Sequence, residues 1–210
     1  MGSLLEMRRV SSLLKRGVPS RLLERVRNES VVYRHVPPPP AVEQPRESVT
    51  VEWVTADLIE ETISDDRRRQ RFLSFLDHGY CGLLAHDDGS WIAHGWVYTP
   101  ESTLVPIHLP DWIGEMDLYW LVFGRTRAGY RERGWHTYLL ARRLRAIYEH
   151  DPSETVFSDT GADNVSRYSL TSTGFEPAGT MVTYSLGYPP FDLVRYGRWD
   201  WETPHPPLPE

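Results

Sequence analysis

Arg125-Thr126-Arg127-Ala128-Gly129-Tyr130-Arg131-Glu132-Arg133-Gly134-Trp135-His136 is the stretch on which the fold turns. Upstream, residues 116–123 have the aromatic and aliphatic content of a strand; downstream, Leu140, Leu144 and Ile147 recur at helical intervals across residues 138–148. A strand that runs through a glycine-containing loop into a helix leaves the first amides of that helix without intrahelical partners, and such an end attracts anions. Gly134 lacks the Cβ that would hold a phosphate away, while Arg125, Arg127, Arg131 and Arg133 offer bidentate donors to phosphate oxygens. The loop reads as a pyrophosphate cradle; the alternative is an ordinary strand-to-helix turn with solvated arginines.

Outward from this loop, strands outnumber helices. Residues 155–158 and 180–186 read as strands on the C-terminal side, separated by a helix over residues 165–172 that Gly174 ends. On the N-terminal side, residues 81–85 and 91–98 flank Asp87-Asp88-Gly89-Ser90, whose Asp-Gly pair favours the left-handed backbone of a hairpin turn. Residues 49–54 alternate as a strand, and Thr55 or Asp57 opens the helix that follows. A basic amphipathic helix carries Arg67, Arg68, Arg69 and Arg71 opposite Phe72, Phe75 and Leu76. Residues 31–36 form a strand halted by the prolines at 37–40, and residues 3–27 form basic helices with an apolar stripe. This division predicts three parts: an N-terminal segment over 1–48, a central domain over 49–186 and a Pro- and aromatic-rich tail over 187–210 that packs along a surface.

The chain has 210 residues, 40% hydrophobic and 25% charged, enough for one sizeable core. No run approaches the roughly 18 apolar residues of a membrane span, and the N-terminus lacks a secretory signal, which predicts no integral membrane association. Cys81 has no cysteine partner, and no metal-ligand spacing joins the eight histidines, so a cytoplasmic protein without a metal is expected. The net charge of −6 is uneven: seven basic residues face two acidic ones in residues 1–27, leaving −11 for the remainder. That field argues against nucleic-acid binding and allows an acidic partner for the basic segment.

From residue 49 to 186 the chain resembles the GNAT superfamily of coenzyme-A-dependent N-acyltransferases. Residues 126–134 are similar to that family's Arg-x-x-Gly-x-Gly/Ala loop with its preceding turn, Arg131 and Gly134 standing in the first two defining positions. Asp163-Asn164-x-Ser166, with Leu170 and Gly174-Phe175-Glu176, is similar to its Asn-x-x-Ala/Ser, aliphatic, Gly-Phe segment. The resemblance implies an α/β (α+β) fold: a mixed, mostly antiparallel central sheet of about six to seven strands flanked by helices, here with an extra N-terminal helical segment. It implies acetyl-CoA or another acyl-CoA as cosubstrate, held by Phe123, Arg125, Thr126, Arg131, Glu132, Arg133, Gly134, Trp135, His136 and Asn164. This chain departs from the pattern in three places. His136 replaces a small residue, Asn164 lies one residue nearer Gly174 than usual, and Leu170 stands where many members carry a general-acid tyrosine.

Acyl transfer from a thioester to an amine needs a neutral amine and, in the end, a proton for the departing thiolate. Glu115 and Asp117 open the strand leading to the cradle and are candidate bases, with a solvated or salt-bridged strand-end role as the alternative. Tyr168 is the remaining catalytic candidate; it is turned about 200° from position 170 on a helix, and packing is its alternative. His94 is expected to face solvent, and Trp91, Trp96, Trp112, Trp120 and Trp135 to divide between pocket wall and core. The implied activity is an N-acyltransferase acting on an amine of a small molecule or peptide. Its alternatives are an acyl carrier protein as donor, suited by charge to the basic segments, and a noncatalytic acyl-thioester or partner-binding member of the same fold. An oligomer is compatible with all three.

Overall fold

The computed structural model describes residues 27–46, 48–186 and 194–209; the helices expected over residues 3–27 fall almost wholly outside them. The chain runs β1 (Arg27–His35), β2 (Thr50–Trp53), α1 (Ala56–Thr62), α2 (Asp66–Asp77), β3 (Cys81–Asp87), β4 (Ser90–Tyr98), β5 (Tyr119–Thr126), α3 (Trp135–His150), β6 (Val156–Thr160), α4 (Ser166–Ser172), β7 (Glu176–Leu186) and β8 (Val194–Asp200). Local chemistry sets several of these ends. The Thr55 hydroxyl accepts from the Leu58 amide at 3.2 Å to start α1, and the Asp65 carboxylate accepts from the Arg68 amide at 2.7 Å to start α2. Asp88 and Gly89, both at positive φ, close the β3–β4 hairpin.

Among the described residues eight strands form one sheet in the order β2-β3-β4-β5-β6-β1-β7-β8. Every pairing is antiparallel except β5 with β6, which runs parallel. The count exceeds the six to seven strands expected, because part of the presumed surface tail is β8. There Arg195 and Trp199 point inward while Tyr196 and Arg198 point out, an alternation hidden in the sequence by a charged residue in the inward phase. β1, upstream of the boundary expected at residue 49, lies inside the sheet between β6 and β7.

Period-two alternation gives the sheet two packed faces. Val32, Trp96, Tyr98, Trp120, Val122 and Phe157 face α1, α2 and the ring of Trp199. Val31, Tyr33, Val97, Leu121 and Val156 face α3, through Leu140, Leu144 and Ile147, and Leu170 of α4. A third cluster, with Leu83, Ala93, Trp135 and Leu139, continues the α3 face toward β2 and β3.

Candidate functional site

The parallel β5–β6 pairing stops at Leu121 and Ser158, where the Ser158 hydroxyl donates to the Leu121 carbonyl at 3.0 Å. Beyond this rung the strands separate, and a cavity of about 850 Å³ opens between residues 121–126 of β5, residues 158–160 of β6, the start of α3 and α4. A bulge in β5 sharpens the separation. His94 pairs with Arg125 while Trp96 pairs with Val122, so β5 carries one residue more than β4 across this interval. Phe123 lies in it at φ 50, a left-handed backbone that a bulky residue adopts only when its surroundings impose it.

At the outer end the chain turns through Glu132 at φ 62 and Gly134 at φ 80 before α3 begins. Gly134 is the N-cap in left-handed conformation and no side chain caps the helix, so the amides of Trp135, His136 and Thr137 have no intrahelical acceptor. The first intrahelical bond, from the Tyr138 amide to the Gly134 carbonyl, is 2.9 Å. Phe123, Arg125, Thr126, Arg131, Glu132, Gly134, Trp135, His136 and Asn164 all line the cavity. Arg133 does not; its guanidinium lies 5.6 Å from the centre of the Tyr130 ring.

Beneath this side of the cavity lies Arg143 of α3, 1% exposed, with no carboxylate within ion-pair distance among the described residues. Its Nε–H donates to the Leu139 carbonyl at 3.0 Å and its Nη1 to the Trp96 carbonyl at 2.9 Å, beside the bulge. Burial lowers its pKa to about 9, so it stays charged at neutral pH. Burial and then the charge of Arg143 push His136 down to about 4, leaving it neutral.

The opposite side is built differently. His108, from the loop between β4 and β5, places Nε2 3.1 Å from Asp159 Oδ1, and the Trp120 indole N–H donates to the same oxygen at 2.9 Å. The Asp159 side chain is 4% exposed and that of His108 26%. Burial disfavours both charges. The mutual charge and hydrogen bond overcome it, so His108 titrates above its ordinary value and Asp159, helped by the Trp120 N–H, below its own. The His108 ring meets the Phe123 ring edge-on with centroids 5.5 Å apart.

Three expected site residues are elsewhere. Glu115 ends a short 3₁₀ turn, Asp111–Glu115, and Asp117 follows in an exposed link, because β5 starts at Tyr119 rather than at residue 116. Both precede the end of β5 opposite the bulge and neither lines the cavity. Tyr168 is 47% exposed and its hydroxyl donates to the Pro209 carbonyl, so it anchors the C-terminal segment; Leu170, buried, is the residue of α4 at the cavity wall. His94 is buried rather than facing solvent, between the rings of Phe72 and Trp91 at 4.7 and 5.5 Å. Burial, then Arg68 and Arg143, bring its pKa to about 3. Of the tryptophans, Trp96 and Trp120 are core and Trp135 both is buried and lines the cavity.

Sequence reasoning missed His108, Asp159 and Arg143. Two of them left a signal: Asp159 shares the inward phase of β6 with Phe157, and Arg143 interrupts the apolar stripe of α3 between Leu140 and Leu144. A charge in an apolar phase marks either a pair or a site.

No protein-family model matches the sequence, and no curated protein matches it. Among solved structures, a GCN5-related N-acetyltransferase from Sphaerobacter thermophilus superposes with a TM-score of 0.50 at 17% identity over 86% of this chain and 55% of its own. One from Kribbella flavida gives 0.45 at 15% identity over 80% and 62%. A putative GNAT-family acetyltransferase from Novosphingobium aromaticivorans gives 0.49 at 15% over 74% and 62%. The chain thus spans between 55% and 62% of the length of these three proteins. At such identities the likeness is one of architecture, and it agrees with the sheet that parts at one parallel rung and the uncapped helix beside it: the chain has the fold of the GCN5-related N-acetyltransferases, the GNAT superfamily.

Proposed function

We propose that this protein transfers an acyl group from an acyl-CoA, acetyl-CoA by default, to the amine of a small molecule or peptide. The observation that carries the reading is the cavity opened by the parting of β5 and β6, which runs up to the free amides of Trp135, His136 and Thr137. Those amides, the positive end of α3 and the Arg131 guanidinium suit a pyrophosphate, and the left-handed Gly134 holds the turn that presents them. The gap between the strands suits the slim arm of a coenzyme thioester, with the bulge at Phe123 exposing β5 backbone to its end.

The ammonium gives up one proton, the neutral amine nitrogen attacks the thioester carbonyl carbon and the carbon–sulfur bond breaks; the nitrogen's second proton goes to the departing thiolate, so the products are an amide, the free thiol and the one proton released before attack. Isothermal titration of coenzyme A into the wild type and Gly134→Val tests the donor half. Binding in the wild type and its loss in the variant are expected; equal affinity in both places the donor elsewhere. Thiol release on adding amines tests the transfer. Leu170, which offers no proton at the cavity wall, favours one second reading, a noncatalytic acyl-thioester binder, whose signature is coenzyme binding without thiol release.

A further inference from the structure

We propose that His108 takes the proton from the acceptor ammonium and that Asp159 positions it for this task. The inference rests on the acyl-transfer reading and deepens it, since the carboxylates at residues 115 and 117 lie away from the cavity.

The geometry is that of an oriented imidazole at the mouth of the gap. With Nε2–H donating to Asp159, the neutral ring keeps Nδ1 as its acceptor, and Nδ1 has no hydrogen-bond partner among the described residues. His108, Phe123 and Asp159 line the same cavity. A carboxylate fixed on one ring nitrogen sets the tautomer and stabilises the imidazolium that forms when the other takes a proton.

The ring is held from several elements. Arg195 of β8 donates to the carbonyls of Val105 and Pro106 at 2.8 Å and pairs with Asp111, pinning the loop on both sides of His108. The Asn28 side chain of β1 donates to the His108 carbonyl at 3.5 Å. The charges facing the imidazole are therefore Asp159 from β6, which favours the imidazolium, and Arg195 and Arg71 of α2, which oppose it. Asp159 prevails, so the ring's pKa is raised from the ordinary histidine value.

The proton balance closes. The ammonium gives one proton to Nδ1 and becomes a nucleophile; after attack the second leaves the nitrogen as the amide forms and is taken up by the departing thiolate. The imidazolium then returns its proton to solvent. At neutral pH an alkyl ammonium, with a reference pKa near about 10.4, arrives protonated, so the first transfer has to occur on the protein or in the water it holds.

The test measures kcat for thiol release from acetyl-CoA against pH with n-butylamine, phenethylamine, spermidine and a glycyl tripeptide. Calorimetry of coenzyme A runs in parallel on wild type, His108→Gln and Asp159→Asn. The wild type is expected to show an acid limb with its midpoint above 6.5. His108→Gln should bind coenzyme A unchanged and lose kcat by about a hundredfold or more. Asp159→Asn should move the limb to lower pH as well as lower the plateau, which a merely structural role would not do. A wild-type limb at or below 6.5, or a His108→Gln variant with the wild-type profile, overturns the assignment and leaves the acyl-transfer reading standing. Coenzyme binding without turnover of any amine by the wild type overturns both.

Discussion

On one side of the cavity the groups that meet the opening come largely from one run of chain, the bulged end of β5 and the turn into α3; on the other they are His108 and Asp159, held from behind by Arg195, three residues from segments far apart in sequence. The first side is made of backbone: uncapped amides, a left-handed glycine, a bulge. The second is made of side chains whose charges balance one another. Their histidines show the consequence. His136, beside the unpaired Arg143, is pushed down and stays neutral, whereas His108, beside Asp159, is pushed up and takes a proton more readily than an ordinary histidine. A side built from local backbone can be recognised in a sequence and damaged at one turn; a side built from distant charges is legible only once folded and depends on the whole sheet.

Acid titration gives the largest effect by which to break this comparison. His136 at about 4 and His94 at about 3 stay neutral in the fold while the unfolded chain takes up protons near 6.5, so stability should fall as pH drops from 6.5 toward 4, by about 5 kcal/mol. His108 has the opposite sign: its contribution is complete below 6.5 and is lost as pH rises through its elevated value. Urea unfolding across pH, with His136→Gln and His108→Gln, separates the two; the first should flatten the acid limb in part and the second leave it intact.

Next in size is Arg195→Ala. Arg195 is 9% exposed, and its loss breaks the ion pair with Asp111 and leaves the Val105 carbonyl without its donor, while the Pro106 carbonyl keeps the Leu109 amide and Asp111 keeps the backbone amide of residue 195; because the Asp111 side chain is also 43% exposed, the cost falls below that of a fully buried pair, about 2 kcal/mol. Coenzyme affinity should hold in the folded fraction, since Arg195 does not line the cavity. A variant that folds as the wild type does would show that the His108 loop needs no clamp.

Gly134→Ala sharpens the other half. A Cβ at φ 80 costs about 1 kcal/mol, with Pro45 at an ordinary 3.6 Å adding little, so the effect should appear in coenzyme affinity more than in the unfolding midpoint. Tyr168→Phe is the smallest: it removes one exposed bond to the Pro209 carbonyl, and a stability change under about 0.5 kcal/mol with unchanged thiol release is expected. A large drop in kcat would restore Tyr168 to the reacting centre.

The asymmetry also explains what the sequence disclosed. The hairpin at Asp88-Gly89, the helix started by Thr55 and the turn at Gly134 were legible because a few adjacent residues fix each of them. The start of β5 was displaced by three residues, since residues 116–118 have strand-like composition and the neighbouring strands alone decide where pairing begins. β8 was read as tail because Gly197 and two arginines break its hydrophobic alternation, and only the fold shows Arg195 reaching back to Asp111. His108 sits between Ile107 and Leu109 in a loop with no motif around it, and its partner is 51 residues away.

The place of β1 bears on how the chain is made. Arg34 pairs with Glu176 and with Phe157, so the first described strand waits between two that leave the ribosome long after it. β2 to β5 are joined by neighbouring antiparallel pairings and can assemble while translation continues; β6 keeps an open edge until β1 finds it, and β1 keeps its own until β7 arrives. During that interval Val31, Val32 and Tyr33, all buried at the end, are uncovered strand residues, and the nascent chain is then most exposed to mispairing and most dependent on a chaperone.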